Sequence, residues 1–597
     1  MDTIKLSSAL LLLCGCPTGE VDTETAGAPG SATAWESTGA EASSGATTTG
    51  SETTDPTTTD PTTTGSTTTG SMTTDSTTTD STTAVTATTT EGTTGTTDGG
   101  TTTTGEWTTG TTDGGTTTTG EGTTGTTDGG TTTTDGSGGS DSGTTTTDGE
   151  GEGVECVAEP EDDPDATWSR RFPTDSELTS IYWPDLAVDL SGAIVWGAHF
   201  SGPIDLGGGL IDEYWRVFLA KHSDPCTLDW SRVLGGDESP IHNFALTTAA
   251  NGDVIVVGAF SGAIDFGGAT LEATFGIDGV GDVIWYTDDL FIARYSPDGA
   301  LLWARRFGDD ATQRAYDVAV TDEGELIVVG SLRGTVDFGN AVAVADESYD
   351  GLVARFTADG EHVWHSTFSA PADVDIFNVD VSAGGLVSIG GLAASGVDFG
   401  GGPLLAKDGN WAYVAQFEPT GAHRWSRRVT SGYRVRSLVA DDVGALYVAG
   451  VTKPDDDVPT DAFLMRFDPD GGYAWIRESA ADTSADGRDL ALSAAGEAEV
   501  VGPFRGTIDF GGGPLTAVDG STDAFFVRFD PAGEVVLQTQ LDTPKGASVL
   551  PLAHRFGPAG ERVTVGNFRG TVDFGAGPMT SGEQGTRRET FLRRAAP

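Results

Sequence analysis

Three consecutive carboxylates, Asp455, Asp456 and Asp457, form a dense run of oxygen donors of the kind that gathers around a divalent cation. No Gly or Asn stands at ligand spacing around them, so they read as a solvated acidic loop. The seven His residues are scattered, and the nearest pair, His362 and His365, sits at i and i+3 of an expected strand. Those positions point to opposite faces, which predicts no shared metal. No His-Glu-x-x-His, Gly-x-Ser-x-Gly or phosphate-loop pattern occurs, and no Cys stands with a His as a nucleophile requires. Asp205, Asp265, Asp337, Asp398, Asp509 and Asp573 each precede Phe-Gly or Leu-Gly, and Lys221, Arg294, Arg355, Arg466, Arg528 and Arg593 recur at another fixed place. Six equal copies indicate scaffolding, with each Asp capping its own turn. No residue is therefore assigned to catalysis, to a cofactor or to a metal.

The remaining candidates are aromatic. Tyr214-Trp215, Trp285-Tyr286 and Trp411 stand outside the repeated pattern, in segments expected to open on one rim of the fold. Large amphipathic side chains on variable loops are what binding rims use, so these five are the candidate ligand rim. The alternative is that each begins a strand and packs inward.

The elements that must position them recur from Thr167 onward. A Trp strand appears at Trp168, Trp230, Trp303, Trp364, Trp425 and Trp475, with Leu537 in the same frame, at spacings of 62, 73, 61, 61, 50 and 62 residues. That interval suits a four-stranded propeller blade with a sizeable loop. In the third repeat the runs are Asp317–Val320, Leu326–Gly330, Gly351–Phe356 and the strand around Trp364, divided by Asp322-Glu-Gly324 and Ala358-Asp-Gly360. Seven third strands and seven fourth strands can be counted, but the first fourth strand, at Trp168, precedes every third strand, and the last third strand, at Phe591, has no successor. Pairing these two closes a ring and removes two exposed edges. The expected fold is all-β: a seven-bladed β-propeller of four-stranded antiparallel blades.

The Trp strand, the Gly-x-Val-Val-Gly strand, the Asp-Phe-Gly-Gly turn and the hairpin Asp461 to Gly471 or Asp523 to Gly533 together resemble the bacterial SBBP β-propeller repeat. The chain is also similar to surface lipoproteins of predatory soil bacteria that join a lipobox, a Thr-rich spacer and such repeats. The resemblance implies a propeller and no particular activity. The Gly-x-x-x-Trp strand is similar to that of quinone-dependent dehydrogenases, but calcium ligands and cofactor-stacking residues are not found, so a propeller enzyme, quinone-dependent or acting on polysaccharide, is the alternative reading.

Residues 1–16 read as an export signal: Lys5, the apolar run Ala9–Leu13, then Leu13-Cys14-Gly15-Cys16, which resembles a lipoprotein lipobox with Cys16 as the lipid acceptor. Residues 17–153 are Thr-, Gly-, Ser- and acid-rich, with a 15-residue period at 91–105, 106–120 and 121–135, and are expected to be a disordered low-complexity linker. A flexible coil of that length spans on the order of 60 Å. Residues 154–597 are the propeller, with 31 basic and 67 acidic residues, a net −36. Such acidity excludes nucleic-acid backbones as partners. Cys156 and Cys226 form an even pair in an expected exported chain and are predicted to be bonded across blades seven and one. The function expected is a cell-surface lipoprotein, at the outer membrane or surface of a Gram-negative bacterium, displaying a monomeric non-catalytic binding, adhesion or scaffold module without cofactor, touching the membrane through its lipid alone and taking a glycan or protein ligand.

Overall fold

β-branched and aromatic residues fill runs of five to nine residues that alternate with Gly-bearing turns, and these runs fold as antiparallel four-strand sheets. The computed structural model describes residues 155–158, 167–173, 180–223, 226–236, 240–280, 283–345, 348–405, 411–429, 433–452, 459–582 and 585–597. No α-helix occurs among them.

Blade three shows the plan: Gln313–Val320, Leu326–Leu332, Asp350–Phe356 and His362–Phe368 pair in chain order. Blades one, two, four and five repeat it from Ser180–Val188 to Tyr473–Glu478. Blade six splits its first strand into Ser484–Ala485 and Asp489–Leu492. In blade seven, Ser548–Phe556, Arg562–Arg569 and Arg588–Ala595 are completed by Trp168–Phe172, with Trp168 opposite Arg594 and Phe172 opposite Thr590. The seven-bladed ring therefore closes with a strand from the domain's N-terminal end. A fifth strand, Glu155–Ala158, adds outside Trp168–Phe172, an addition absent from the sequence reading. From that strand Cys156 bonds to Cys226 of blade one, with the Cα atoms 5.7 Å apart and a sequence separation of 70.

The core lies between blades. Among the described residues seven buried apolar clusters occur, one for each pair of neighbouring blades, including Phe172, Trp196, Phe218 and Leu592 at the seam of blades seven and one. Each second strand is apolar at nearly every position because a neighbouring sheet covers each face, as in Val254–Phe260. The Trp-x-Arg pattern of the fourth strand latches adjacent blades. Trp230 Nε1 donates to Pro297 O (3.0 Å) and Arg232 Nε to Gly299 O (2.8 Å) of the next blade, and the Trp425 and Trp475 strands repeat this on Pro469, Gly471, Pro531 and Gly533. Gly299 has φ +77° and lies against the Trp230 ring, where a Cβ would come within 2.6 Å. Only glycine fits both constraints.

Candidate functional site

The first strands of all seven blades line a central channel of about 810 Å³. In five of them the ladder skips a step at one level: between Tyr182 and Asp185, Ala315 and Asp317, Ile376 and Asn378, Val435 and Ser437, and Pro551 and Ala553. A bulge leaves a residue out of the ladder and re-aims its side chain. The residues so released are Trp183 with Pro184, Tyr316, Phe377, Arg436 and Leu552, and all line the channel. Phe244, in regular register opposite Gly258, and Arg488, in the break of blade six, line it as well. Trp183, Phe244, Tyr316 and Phe377 thus form an aromatic arc on blades one to four, and Arg436 and Arg488 continue the circle on blades five and six. Because Ser180 pairs with Ser201, this level adjoins the ends of the second strands, where the loops to the third strands leave.

Trp183 is 62% exposed and has φ +48°, a strained value for a bulky L-residue. Its ring stands edge-on to His199, with centroids 5.3 Å apart. Burial holds the His199 imidazole down to about 4, so it is neutral. Tyr316 and Phe377 are edge-to-face at 5.0 Å. Arg436 Nη2 and Arg488 Nε share Asp486 Oδ2, at 3.1 and 2.9 Å.

Carboxylates follow the arc inward. Asp185, Asp317 and Asp489 occupy one register, opposite Gly197, Val329 and Val501. Each accepts the N–H of its own successor at 2.8 Å. Each also accepts a backbone N–H from the next blade: Leu246 (2.8 Å), Val379 (2.8 Å) and His554 (2.7 Å). Asp380 accepts Ala440 N at 2.6 Å, and Asn378 Nδ2 donates to Arg436 O at 3.1 Å. These bonds stitch innermost strands together. Arg555 sits between two of the acids, Nη1 2.6 Å from Asp489 Oδ2 and Nη2 3.7 Å from Asp185 Oδ1. Enclosure pushes the carboxyls of Asp185 and Asp380 up, and pushes Asp317 up to about 8, with repulsion from Asp185 adding to burial.

The residues singled out from sequence fall in different places. Tyr214 and Trp215 are exposed in blade one, Trp215 at 68% with φ +57°, and Tyr286 is exposed in blade two beside Phe275, 5.7 Å away. Trp285 belongs to the strand Val283–Tyr286, and its side chain lies outside the described residues, as do Cys16 and Asp455–Asp457. Trp411 is not a rim residue: it opens the third strand of blade four, is 5% exposed, and packs in the core between blades three and four with the Arg428 guanidinium 5.4 Å from its ring. An aromatic at the first position of a third strand is covered by the adjoining sheet. The turn Asp residues cap their own turns, as with Asp205 accepting Gly207 N and Gly209 N and Asp398 accepting Gly400 N and Gly402 N.

Two further groupings bear on chemistry. His362 and His365 do not point apart: His362 Nε2 and His365 Nδ1 are 3.1 Å from each other. The register shift between Arg355 and Phe356, which pair with Trp364 and His362, leaves Val363 out and brings i and i+3 to one side. Among the described residues no third His, Cys, Asp or Glu joins them as a metal group. Ser261, His242 and Asp288 lie together near blade two, but Ser261 Oγ (3.4 Å) and Asp288 Oδ1 (3.2 Å) both approach the same nitrogen, Nε2. A relay needs one partner on each ring nitrogen, so this grouping is not a nucleophile triad.

No protein-family model matches the chain. An uncharacterized WD repeat-containing protein of Acanthamoeba polyphaga mimivirus is 22% identical over 182 residues, 27% of this chain, and the chain spans only 13% of that relative's length. Among solved structures, the chain is similar to the Pan2 WD40 domain of Neurospora crassa, with 10% identity, TM-score 0.38, and coverage of 74% of this chain and 94% of that one. It is also similar to Sqt1 of Chaetomium thermophilum, with 13% identity, TM-score 0.34, and coverage of 66% and 96%. A puromycin hydrolase aligns at 14% identity, TM-score 0.30, and coverage of 66% and 59%. Likenesses this distant carry no function, and the fold rests on the strand pairing itself.

The mouth residues Trp183, Phe244, Tyr316, Phe377, Arg436 and Arg488 were not among the sequence candidates. The signal was present. Aligning the repeats on Asp317-Val-Ala-Val320 puts Tyr316, Phe377, Arg436 and Leu552 in a single variable column just before a regular strand.

Proposed function

We propose that this chain is a tethered binding module that takes its ligand at the aromatic mouth of the propeller channel. The observation that carries the reading is the arc of Trp183, Phe244, Tyr316 and Phe377, three of them released by bulges and Phe244 standing at the same level in regular register, all lining the channel while most aromatics of the fold are buried between blades. Aromatic faces beside Asp, Asn and Arg side chains suit a saccharide, stacking on its C–H faces and bonding its hydroxyls. Such a site needs no cofactor and no second subunit.

The setting proposed is that of an SBBP-type repeat lipoprotein: export, lipid on Cys16, a Thr-rich spacer, and the propeller displayed monomerically at the outer membrane or cell surface. The acyl chain, contributing about 0.8 kcal/mol per buried methylene, would be its contact with the membrane. A glycan array probed with the full chain tests the binding reading. Wild-type protein should retain a saccharide that the Phe377→Ala and Trp183→Ala variants lose, and signal unaltered by both would refute the mouth as the site. Cys16→Ser should move the protein from membranes to the medium. Unchanged fractionation, with no uptake of labelled acyl chain by the wild type, would refute the tether.

A further inference from the structure

We propose that the ligand of the channel mouth carries an organic ammonium group, as an amine-substituted sugar does. The inference rests on the binding reading above and adds the charge of the ligand. The aromatic arc supplies ring faces of negative potential, the surface over which a cation is attracted. An acid follows each of three members within three residues: Asp185 after Trp183, Asp317 after Tyr316 and Asp380 after Phe377.

The charges facing the channel do not balance. The lining acids are Asp185, Asp317, Asp380, Asp441, Asp442 and Asp489, and the lining bases are Arg436, Arg488 and Arg555. Arg436 and Arg488 share the Asp486 carboxylate, and Arg555 is taken by Asp489 and Asp185. Asp317 and Asp380 accept backbone N–H groups, and among the described residues neither lies within ion-pair distance of a base, although the Arg555 charge reaches both. Two half-buried carboxyl groups on the channel wall that also holds the aromatic arc, neither within ion-pair distance of a base and Asp317 ionising near 8, form the complement of an ammonium group as the pH rises. An anionic ligand would meet both the acids and the net −36 of residues 154–597, whereas a cation is steered inward by them. Burial, with repulsion from Asp185 adding to it, raises the Asp317 carboxyl to about 8, so this group gains its negative charge as the pH rises through that value.

Isothermal titration of the full chain in mild detergent tests this with choline, whose charge does not titrate, and with its neutral isostere 3,3-dimethylbutan-1-ol. Glucosamine oligomers are compared with their N-acetylated forms at pH 6. Choline and the glucosamine oligomers should bind, with the isostere and acetylated forms roughly tenfold or more weaker, as expected when a charge-assisted contact is lost. Asp317→Asn with Asp380→Asn should weaken choline by a similar factor. Choline affinity should also rise between pH 6 and 9 as Asp317 sheds its proton. Saturation transfer from choline methyls to aromatic protons of the wild-type mouth needs no variant and keeps the test open if the double variant does not fold. Equal binding of charged and neutral forms would overturn the ammonium assignment and leave the mouth as the binding site. An empty glycan array together with no choline binding would overturn both.

Discussion

Phe172→Ala should destabilise the propeller by about 3–5 kcal/mol, because the ring is closed by a single five-residue strand and Phe172 is its anchor. Phe172 is fully buried at the end of Trp168–Phe172, with its ring 4.7 Å from Trp196 and 6.3 Å from His222 of blade one. Truncation removes a whole ring from the seam cluster, where Trp196, Phe218 and Leu592 are also fully buried and cannot collapse far. The disulfide restrains the same seam. On the chain-entropy account, closing 70 residues contributes about 4 kcal/mol. The two perturbations act on one joint, so Phe172→Ala with Cys226→Ser should depart from additivity. Urea unfolding reads the stability, and trypsin reads the joint directly. Arg170 is buried with Nη2 on Leu206 O (2.9 Å), and Arg171 pairs with Glu589 (3.2 Å), so neither is cut while the strand is docked. The double variant should be cut at Arg170 or Arg171 under conditions that spare the wild type. A Phe172→Ala loss below ~1 kcal/mol, with both arginines protected in the double variant, would refute this account of closure.

Two predictions concern pH. Glu499 is fully buried at the joint of blades six and seven, with Oε1 3.2 Å from His554 Nε2 and Oε2 2.8 Å from Arg528 Nε. Burial raises its carboxyl, but His554, Arg562 and Arg528 outweigh that and bring it to about 2, below the ordinary 4.5. Its contribution, about 3 kcal/mol, is therefore complete above pH 4.5 and is lost as the pH falls through about 2. Glu499→Gln should lower stability at pH 6 and flatten the acid limb of the stability curve, and identical curves for variant and wild type would refute the pairing. Asp317 has the opposite sign: its folded carboxyl is raised from 3.8 to about 8, so its contribution is complete below 3.8 and is lost as the pH rises through 8. The wild type should lose thermal stability between pH 7 and 9 and Asp317→Asn should lose less, whereas parallel alkaline limbs would show that the channel does not raise this group.

The ring was legible in the sequence because its devices recur. Trp-Ser-Arg is a visible repeat because Trp230 and Arg232, like Trp425 and Arg427, reach the next hairpin's carbonyls. The orphan strand at Trp168 had to pair with the strand at Phe591 because the strand count left no other partner. The mouth was less legible for a physical reason: a bulge changes which side a residue faces without changing its type. Tyr316 and Phe377 look like ordinary strand aromatics until the ladder shows that they are skipped, and His362 and His365 seem to point apart until Val363 is seen to be left out. Trp411 misleads in the other direction, since its loop position in the sequence is the first rung of a covered strand.

The central claim is that the channel mouth, rather than the outer loops, receives the ligand. Its most direct test is a crystal structure of the propeller soaked with the saccharide that the array retains. Density stacked on Trp183, Tyr316 or Phe377 and reaching toward Asp317 and Asp380 is the predicted result. Density confined to Tyr214 and Trp215 or to Tyr286, with the mouth empty, would contradict it.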